Sequence, residues 1–533
     1  MTVNSRKILF VILVFAFFVR VAGIGYGLPL WLISDESPFT LGALKMIELK
    51  TVTPRFHSEE FRSVLYYPPY ISYLLLPVFS GILAFKYLTF DGDKISFANY
   101  IGSDISSFFI AARFINIIFA LASIYLVYKI AKNIFKDEWI GLAASFLVST
   151  SLLHVMLSIA ARQWMPVSFV FLLVLYFLTD QTLSFKKRYF FSVLTFGIGM
   201  GASAISCVAL FLVSFYFLLF EEKKLSELLR EKFVYFLGIV FGVLALLPFA
   251  IYPASIGFGG KISLFGEKTL FGLFSSPFKF LSPLLYAEPI LMALFAAGII
   301  FAIYKKNKLF WLFSLFIATY SLIFYFFFRF EDRFILPLVP LVAIIAGFGV
   351  REFFNFLRNK NKYSALACLI ILAFVPTVFA SRLGYLAYKG DSRENMRVWV
   401  EKNLKEDSKI IVHARLMRLA ANAEAIEEKK IIAPESLRQV DRSELFFGKS
   451  PIYPSFHALN ISDLDKPILN NGYEFAVLSV DNKLDGVLED KELIISFGED
   501  SRFSIADSRL GGNPIELFET KELGPSVSLY NLK

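Results

Sequence analysis

The sequence predicts a polytopic α-helical membrane protein with a soluble α/β domain at its C-terminal end. The chain of 533 residues is 56% hydrophobic and only 19% charged, and its mean hydropathy is +0.60. Soluble domains average about 45–50% apolar and about 25% charged residues, so one ordinary soluble domain is excluded. The net charge of +9 is divided unevenly. Residues 381–533 hold 21 Lys and Arg against 25 Asp and Glu, a net of −4, which leaves +13 on residues 1–380.

Twelve apolar runs are the candidates for membrane-spanning helices. A helix needs about 20 mostly apolar residues to cross the hydrocarbon core. The runs occupy residues 8–28, 66–90, 106–131, 139–157, 163–180, 189–203, 204–220, 233–253, 285–303, 308–328, 333–350 and 363–380. The runs 189–203 and 204–220 are divided only by Gly and Ser residues, which favours a tight helical hairpin. We expect about 11–13 transmembrane helices.

Basic residues in the short loops set the predicted orientation. Lys and Arg concentrate in loops that stay in the cytoplasm. Such residues precede the first span and recur in the loops at 129–136, 186–188, 223–232, 305–308 and 351–362. All of these loops are cytoplasmic if the run 66–90 lies in the outer membrane interface instead of crossing. The prediction is therefore eleven spans, a juxtamembrane helix and a cytoplasmic N-terminus, in a plasma (cytoplasmic) membrane.

This orientation divides the chain into two domains. Residues 1–380 form the predicted transmembrane domain, with large external loops at residues 29–105 and 254–284. Residues 381–533 form a soluble external α/β domain. Its predicted elements are strands at Lys409–His413, Glu474–Val480, Leu493–Phe497 and Val527–Leu532 and helices near residues 392–405 and 414–428.

The first candidate for catalysis is the acidic pair Asp35-Glu36, just past the first span. A carboxylate at the membrane face, tuned by partial burial, can act as a general base towards a membrane-bound substrate. The alternative is structural: Ser34 caps the helix that follows, and the two acids interact favourably with its dipole. Both readings are compatible with the residues.

Arginines at external helix junctions form the second group of candidates. They are Arg162, Arg329 and Arg333. Positive charge on the external side opposes the orientation bias. Binding of an anionic phosphate would explain it, because a guanidinium pairs with phosphate oxygens in a bidentate manner. The alternative for Arg329 and Arg333 is pairing with Glu331 or Asp332.

A third group consists of residues that would line the same site. Tyrosines at the membrane interface often form only an aromatic belt. Charged residues inside a span usually mark function, although a long side chain can also extend to the interface. The residues of this group are Tyr66, Tyr67, Gln163, Arg20 and Arg113.

Taken together, these elements resemble the GT-C membrane glycosyltransferases, in the branch of protein O-mannosyltransferases and lipid A aminoarabinose transferases (glycosyltransferase family 39-like). The resemblance covers nearly the whole chain. The matching elements are Asp35-Glu36, Tyr67-Pro68-Pro69, Arg113, Ala161-Arg162 and the stretch from Arg333 to Pro340. Many relatives carry another acid near the Arg162 element, where this chain has Ala160, Gln163 and Met165. The Trp-Trp-Asp element of oligosaccharyltransferases is absent, which disfavours transfer of a whole glycan to asparagine.

The resemblance implies an inverting glycosyltransferase acting in the cell envelope. It would move a single sugar from a polyprenyl-phosphate donor to an acceptor hydroxyl on the external face, and the acceptor would be a lipid, a glycan or a protein. Asp35 would be the base, with Glu36 as the second catalytic candidate. The lipid phosphate would be bound by Arg162, Arg333, Arg329 and Tyr67, and the site lined by Arg20, Arg113, Tyr66 and Gln163.

A lipid or glycan transporter, such as a flippase, is the alternative function. A transporter would place polar residues midway through several spans and would repeat its fold in the membrane, whereas these spans are strongly apolar. The transfer reaction requires no cofactor, and no metal ligands are recognised, although the reaction leaves room for a divalent metal. Membrane lipids are expected contacts. Nucleic acid is not, because the positive charge lies in loops between apolar runs.

Overall fold

The computed structural model consists of a helical part followed by a C-terminal α/β part. It describes residues 5–221, 231–259, 270–327, 330–432, 434, 437, 439–461, 472–479, 491–499 and 502–533. The predicted fold class, a polytopic helical protein with a C-terminal sheet domain, is confirmed.

The helical part extends to Lys389. Its helices are α1 (Ser5–Ala22), α2 (Ser37–Glu48), α3 (Ser58–Arg62), α4 (Tyr70–Leu88), α5 (Lys94–Ser103), α6 (Ser106–Phe135), α7 (Glu138–Thr150), α8 (Leu152–Ser158), α9 (Trp164–Thr179), α10 (Phe185–Gly199), α11 (Ala209–Phe220), α12 (Lys232–Ile251), α13 (Leu270–Ala287), α14 (Pro289–Tyr304), α15 (Lys308–Phe327), α16 (Val339–Lys360) and α17 (Lys362–Lys389). Short 3₁₀ helices occupy Pro54–His57, Ala204–Val208, Pro253–Gly259 and Asp332–Leu338.

Several of these helices are long and apolar enough to cross a membrane. Among the described residues there are five such stretches by length and composition, or six if the bent pair α7 and α8 forms one span. They are α4, α6, α12, the stretch Asp332–Lys360 and α17. Shorter apolar helices occupy Trp164–Thr179, Ala204–Phe220, Pro289–Tyr304 and Phe310–Tyr325. The chain is an integral membrane protein, and the number of 11–13 spans stays a prediction.

Helix α16 is the centre of the helical part. Every residue from Val339 to Gly349 is buried, as expected for a helix that is apolar on all sides. Its glycines allow close backbone contact: a Cβ on Gly347 would collide with α7, and one on Gly349 would collide with the backbone of α14. This packing fixes the 3₁₀ turn before α16, which carries one of the predicted site arginines.

Helix α4 lies across the start of α6. The backbone N–H of Tyr70, its first residue, donates to the carbonyl of Gly201, beyond the end of α10. Phe79, at its middle, packs edge-on against Phe108 in the first turn of α6, with ring centroids 5.0 Å apart. Lys86, near its end, lies 6.0 Å from the same ring. Helix α4 is also long and apolar enough to cross a membrane, so the juxtamembrane placement of 66–90 stays a prediction.

Two connections differ in detail from the sequence expectation, and a third agrees with it. The run 139–157 is broken at Ser151, where α7 and α8 meet at a bend of 60°. The loop expected at 254–284 contains most of α13. The predicted division between 189–203 and 204–220 is present, because α10 ends at Gly199 and the hydroxyl of Ser206 donates to its carbonyl.

The C-terminal part is a five-stranded mixed sheet flanked by helices. Strand order is β2 (His457–Asn460), β1 (Lys409–His413), β3 (Phe475–Ser479), β7 (Val527–Asn531) and β4 (Glu492–Phe497). The first three are mutually parallel, and β7 runs antiparallel to β3 and β4. The helices are α18 (Ser392–Asn403), α19 (Ala423–Ile432), α20 (Gln439–Phe447) and α21 (Glu516–Glu519).

The helix expected at 414–428 is wrong in its first half. Residues 414–422 are irregular, and α19 begins at Ala423. Ala421 instead forms a β-bridge with Phe456, which leads into β2, a strand that the sequence analysis missed. The domain division at residue 380 stays a prediction. Helix α17 continues past that point to Lys389, where Gly390, with a φ of 87°, ends it.

A separate hairpin joins the two parts of the molecule. It consists of β5 (Phe503–Ser504) and β6 (Arg509–Leu510), with a turn of four residues between them. The buried side chains of Phe503, Ile505, Ala506 and Leu510 pack in the hydrophobic core of the helical part rather than in the core of the sheet domain. The hairpin therefore belongs to the C-terminal part by sequence and to the helical part by packing.

Candidate active site

Asp35 and Glu36 occupy the turn that leads into α2, and their side chains lie in different environments. Asp35 has a φ of 56°, in the left-handed region that Asp adopts more readily than most residues. Its side chain is 29% exposed, whereas that of Glu36 is fully buried. No side chain caps the start of α2. The alternative in which Ser34 caps this helix is therefore not what the structure shows.

Glu36 forms a buried, fully hydrogen-bonded ion pair with Arg113. The Arg113 Nε and Nη2 atoms donate to the two carboxylate oxygens, each at 2.7 Å. The backbone N–H of Ala161 donates to Oε1 at 2.7 Å, and Arg113 Nη1 donates to the carbonyls of Ile24 and Tyr26. Arg113 is fully buried. The pair ties the connection between α1 and α2 to α6 and to the turn before α9.

Asp35 bridges two arginines that are distant in sequence. Its Oδ2 atom lies 2.8 Å from Nη2 of Arg162 and 3.2 Å from Nη2 of Arg333. Arg162 comes from the turn between α8 and α9, and Arg333 from the 3₁₀ turn before α16. The structure thus brings together one predicted base and two of the predicted phosphate ligands.

Arg162 is held almost entirely out of solvent. Its side chain is 1% exposed, and its Nη1 atom donates to the hydroxyl of Ser508 at 2.8 Å. The side-chain amide of Asn116 donates to the carbonyl of Arg162 at 3.1 Å and fixes the backbone of the turn. Burial, followed by the charge of Arg333, lowers the pKa of Arg162 to about 10, while Asp35 opposes that shift. Arg162 therefore stays protonated at neutral pH.

Arg333 has two acidic partners rather than one. It pairs with Glu331 at 2.6 Å as well as with Asp35, and its side chain is 15% exposed. Arg333 therefore pairs with a neighbouring acid, as the structural alternative predicted, and it also contacts the candidate base Asp35. Asp332 instead accepts a hydrogen bond from the backbone N–H of Leu510, at 2.8 Å. Arg329 lies outside the described residues.

The two tyrosines complete the wall around Asp35. The hydroxyl of Tyr66 donates to Oδ1 of Asp35 at 3.4 Å. The ring of Tyr67 stacks on Phe39 of α2, with centroids 5.0 Å apart, and its hydroxyl interacts with the side chain of Gln163. Burial and the negative charge of Asp35 raise the pKa of both tyrosines. Both hydroxyls stay protonated and can donate hydrogen bonds to an anion.

Arg20 is a predicted site residue whose contacts lie away from both Asp35 and Glu36. It lies at the bend between α7 and α8, where Nη1 donates to the carbonyls of Ala16 and Ser149. Its Nη2 atom lies 2.8 Å from Nδ1 of His154. The His154 ring must accept this bond and is therefore neutral.

Residues of the C-terminal part reach the site, and the sequence analysis missed them. The backbone N–H of Ser34 donates to the carbonyl of Ala506 at 3.0 Å. Ser508 accepts from Arg162, and Leu510 donates to Asp332. The residues around Ser508 form no recognisable motif. The sequence signal was indirect: buried arginines need several hydrogen-bond acceptors, and the residues near Asp35 in sequence do not supply them all.

An apolar cavity of about 660 Å³ lies beside the site. It is an open cavity bordered by α4, α6, α9 and α10, and its lining includes Tyr70, Phe119, Phe169, Leu173 and Ile198. Two of its lining residues are close in sequence to site residues: Pro166 follows Arg162 by one helical turn, and Tyr70 follows Tyr67 by three residues. The cavity was not predicted from the sequence.

The described side chains supply no evident metal ligands. Within this part of the chain, no group of three or more His, Cys, Asp or Glu residues is placed to bind a metal ion. The charged groups around Asp35 are two guanidiniums and the Glu331 carboxylate. The two guanidiniums are suited to bind an anion. The expectation that no cofactor is required stays a prediction.

A family comparison bears on this arrangement. Residues 96–252 match the model of the family described as dolichyl-phosphate-mannose-protein mannosyltransferase. The resemblance to the GT-C membrane glycosyltransferases is confirmed. The predicted class of enzyme, a glycosyltransferase, is confirmed with it. The matched segment includes Arg113, Arg162 and Gln163, and ends before Arg333. No curated protein matches the chain significantly.

Solved structures that are similar to this chain include an oligosaccharyltransferase and ArnT. An oligosaccharyltransferase of Archaeoglobus fulgidus in the apo form is 12% identical over 90% of this chain and 70% of its own, with a TM-score of 0.42. ArnT from Cupriavidus metallidurans bound to undecaprenyl phosphate is 11% identical over 82% of this chain and 86% of its own, with a TM-score of 0.38. At these scores the likeness assigns neither residues nor activity to this chain.

Proposed function

We propose that this protein is an inverting glycosyltransferase that moves a single sugar from a polyprenyl-phosphate donor to an acceptor hydroxyl. The observation that carries the proposal is the partly exposed carboxylate of Asp35 between the guanidiniums of Arg162 and Arg333. A base and two cationic groups within contact distance are what a displacement at a sugar phosphate requires.

The donor is inferred from the chemistry of the site and of the cavity beside it. Two arginines and two protonated tyrosines are suited to bind a phosphate. The apolar cavity of about 660 Å³ offers a place for the lipid chain. The family matched by residues 96–252 is named for a dolichyl-phosphate sugar, which supports the same class of donor. A lipid-linked donor reaches the site by diffusion in the membrane and needs no nucleotide-binding motif.

The reaction follows from how the donor phosphate would compete for the arginines. Arg162 and Arg333 are both paired with Asp35. An anionic phosphate that binds these guanidiniums frees the Asp35 carboxylate to accept a proton from the acceptor hydroxyl. The acceptor oxygen then forms a bond to the anomeric carbon from the opposite face, while the bond to the phosphate oxygen breaks and its electron pair leaves with the polyprenyl phosphate. One displacement inverts the anomeric configuration.

The arginines stabilise the leaving group because its charge grows during bond cleavage. The donor is a phosphodiester with one negative charge, and the product is a phosphomonoester with a second charge. Guanidiniums held in place before the reaction stabilise that developing charge without reorganising. Glu36 was predicted as a second catalytic candidate, but it is buried and both of its carboxylate oxygens accept hydrogen bonds from Arg113. We therefore assign it a positioning role.

We place the site on the external side of a plasma membrane. The loops rich in Lys and Arg, such as 129–136 and 351–362, are at the ends of α6 and α16 that lie away from Asp35. In a variant lacking Cys207 and Cys368, a single cysteine at Asp91 should react with an impermeant thiol reagent added outside cells, and one at Lys186 should not. The reverse pattern would contradict this orientation.

The acceptor is a hydroxyl on a lipid, a glycan or a protein. The family name specifies protein, and it supports testing a hydroxyl-bearing peptide first. The decisive experiment uses the purified full-length protein in liposomes with a panel of radiolabelled polyprenyl-phosphate sugars and each class of acceptor. We expect release of free polyprenyl phosphate and a product of inverted anomeric configuration by NMR. Movement of intact donor across the bilayer without cleavage would indicate a transporter and contradict the proposal.

A further inference from the structure

The hairpin formed by β5 and β6, with its turn Ile505–Ser508, contacts three separate elements of the candidate active site. The carbonyl of Ala506 accepts from Ser34, beside the acidic pair. The hydroxyl of Ser508 accepts from Arg162, and the N–H of Leu510 donates to Asp332, beside Arg333. One short segment of the C-terminal part is therefore bonded next to every charged group around Asp35.

The hairpin is firmly anchored. Phe503, Ile505, Ala506 and Leu510 are at most 1% exposed and belong to the hydrophobic core of the helical part. Burial of side chains of this size stabilises by about 1.5–3 kcal/mol for each large one. The polar contacts of the turn are therefore made from a fixed support rather than from a mobile loop.

Ser508 has an unusual backbone conformation for a serine, and its side chain contacts Arg162. Its φ is 56°, in the left-handed region where serine is uncommon and glycine is favoured. The side chain is 2% exposed. A residue chosen for the turn alone would be glycine. Serine at this position retains a hydroxyl that reaches a buried guanidinium at 2.8 Å.

We propose that Ser508 is a positioning residue for sugar transfer, acting through Arg162. The Arg162 guanidinium is planar, so a fixed Nη1 also fixes the direction of Nη2, which contacts Asp35. Without the hydroxyl, Nη1 is left in a buried space without that acceptor, and the guanidinium rotates or attracts water. This inference rests on the proposed function, because the group that Arg162 serves is the donor phosphate.

The test compares substitutions at Ser508 that distinguish the effect of losing the hydroxyl from the effect of relieving the left-handed backbone. Ser508→Gly relieves the left-handed backbone and removes the hydroxyl. We expect unchanged or higher thermal stability with roughly tenfold or greater loss of kcat, since a hydrogen bond to a buried charged group is among the strong ones. Ser508→Asn tolerates the same φ and restores an acceptor, and it should recover most of the lost kcat. Lys136→Gly is the matched control, because Lys136 has a φ of 54° and lies exposed at the end of α6.

A second measurement makes the inference independent of the enzyme assay. Thermal unfolding of the full-length protein in detergent is compared for Ser508→Gly, Arg162→Gln and the double variant. We expect a clear coupling between the two positions. Zero coupling, or wild-type kcat in Ser508→Gly, would overturn the positioning role. If wild-type protein cleaves no polyprenyl-phosphate sugar, the proposed function fails, and the coupling alone decides whether Ser508 holds Arg162.

Discussion

Arg162 donates from Nη2 to Oδ2 of Asp35 at 2.8 Å, although the two residues are 127 positions apart in the chain. The contact exists because their sequence neighbours are also joined: Glu36, next to Asp35, accepts from the backbone N–H of Ala161, next to Arg162. Two adjacent pairs of residues thus form two parallel connections, one buried and one partly open. The buried connection holds the geometry, and the open one is available to a substrate.

The role of Arg333 can be tested by replacing its planar guanidinium with an ammonium group or with a methyl group. If it binds the donor phosphate, Arg333→Lys should already lower kcat/KM for the donor, because a point charge does not reproduce the bidentate fork. Arg333→Ala should reduce kcat/KM by an amount equivalent to about 2–4 kcal/mol, the scale for one well-placed transition-state donor. Steady-state rates against donor concentration measure both.

The control for Arg333 is Glu331→Gln. Glu331 pairs with Arg333 at 2.6 Å and its side chain is 36% exposed, so its loss should change kcat/KM only slightly. Unchanged turnover and donor KM in Arg333→Ala would instead return Arg333 to a structural role as the partner of Glu331.

Glu36→Gln should act mainly on stability. The substitution leaves Arg113 buried without its carboxylate, and breaking a buried ion pair on one side costs about 3–5 kcal/mol. The sequence made Glu36 the second catalytic candidate, whereas its buried pair with Arg113 leads us to expect a large effect on folding. Thermal unfolding in detergent measures it. Glu48→Gln, which removes an exposed pair with Lys45, is the control and should leave the unfolding temperature unchanged. Equal unfolding temperatures for Glu36→Gln and wild type would contradict the structural account.

The apolar cavity can be tested by filling it. Leu173→Trp adds volume to the lining of the cavity on α9. We expect a higher KM for a donor with a long polyprenyl chain and little change for a donor with one or two isoprene units, because only the long chain needs the space. Leu218→Trp, on an exposed face of α11, is the matched control. An equal rise in KM for both donors would mean that the lipid chain lies elsewhere.

The sequence predicted the main members of the site because their chemistry conflicts with their location. Acids next to a predicted span and arginines in loops predicted to be external are unusual in a membrane protein, and the structure brings Asp35, Arg162 and Arg333 into contact. Sequence reasoning also predicted four of the strands in the C-terminal sheet, because their apolar residues are nearly continuous. Local chemistry was sufficient for both.

What the sequence could not predict depends on tertiary contact. Arg113 and Arg20 are both intramembrane arginines, yet one pairs with Glu36 beside the site and the other with His154 at a helix bend. No local pattern distinguishes them. Ser508 is an ordinary polar residue in a short turn until the hairpin packs into the helical core. The start of α19 was misplaced because residues 414–422 are compatible with a helix but are held by the bridge between Ala421 and Phe456.

The central claim is that Asp35 accepts the proton of the acceptor hydroxyl, and one variant tests it most directly. Asp35→Asn keeps the size of the side chain and removes the base. With the purified full-length protein and saturating donor and acceptor, we predict that kcat falls by about 10²–10⁴-fold, while thermal stability stays near that of the wild type. The donor should bind at least as tightly, because the substituted side chain carries no charge to compete with the phosphate for Arg162 and Arg333. Turnover at the wild-type rate in Asp35→Asn would contradict the mechanism.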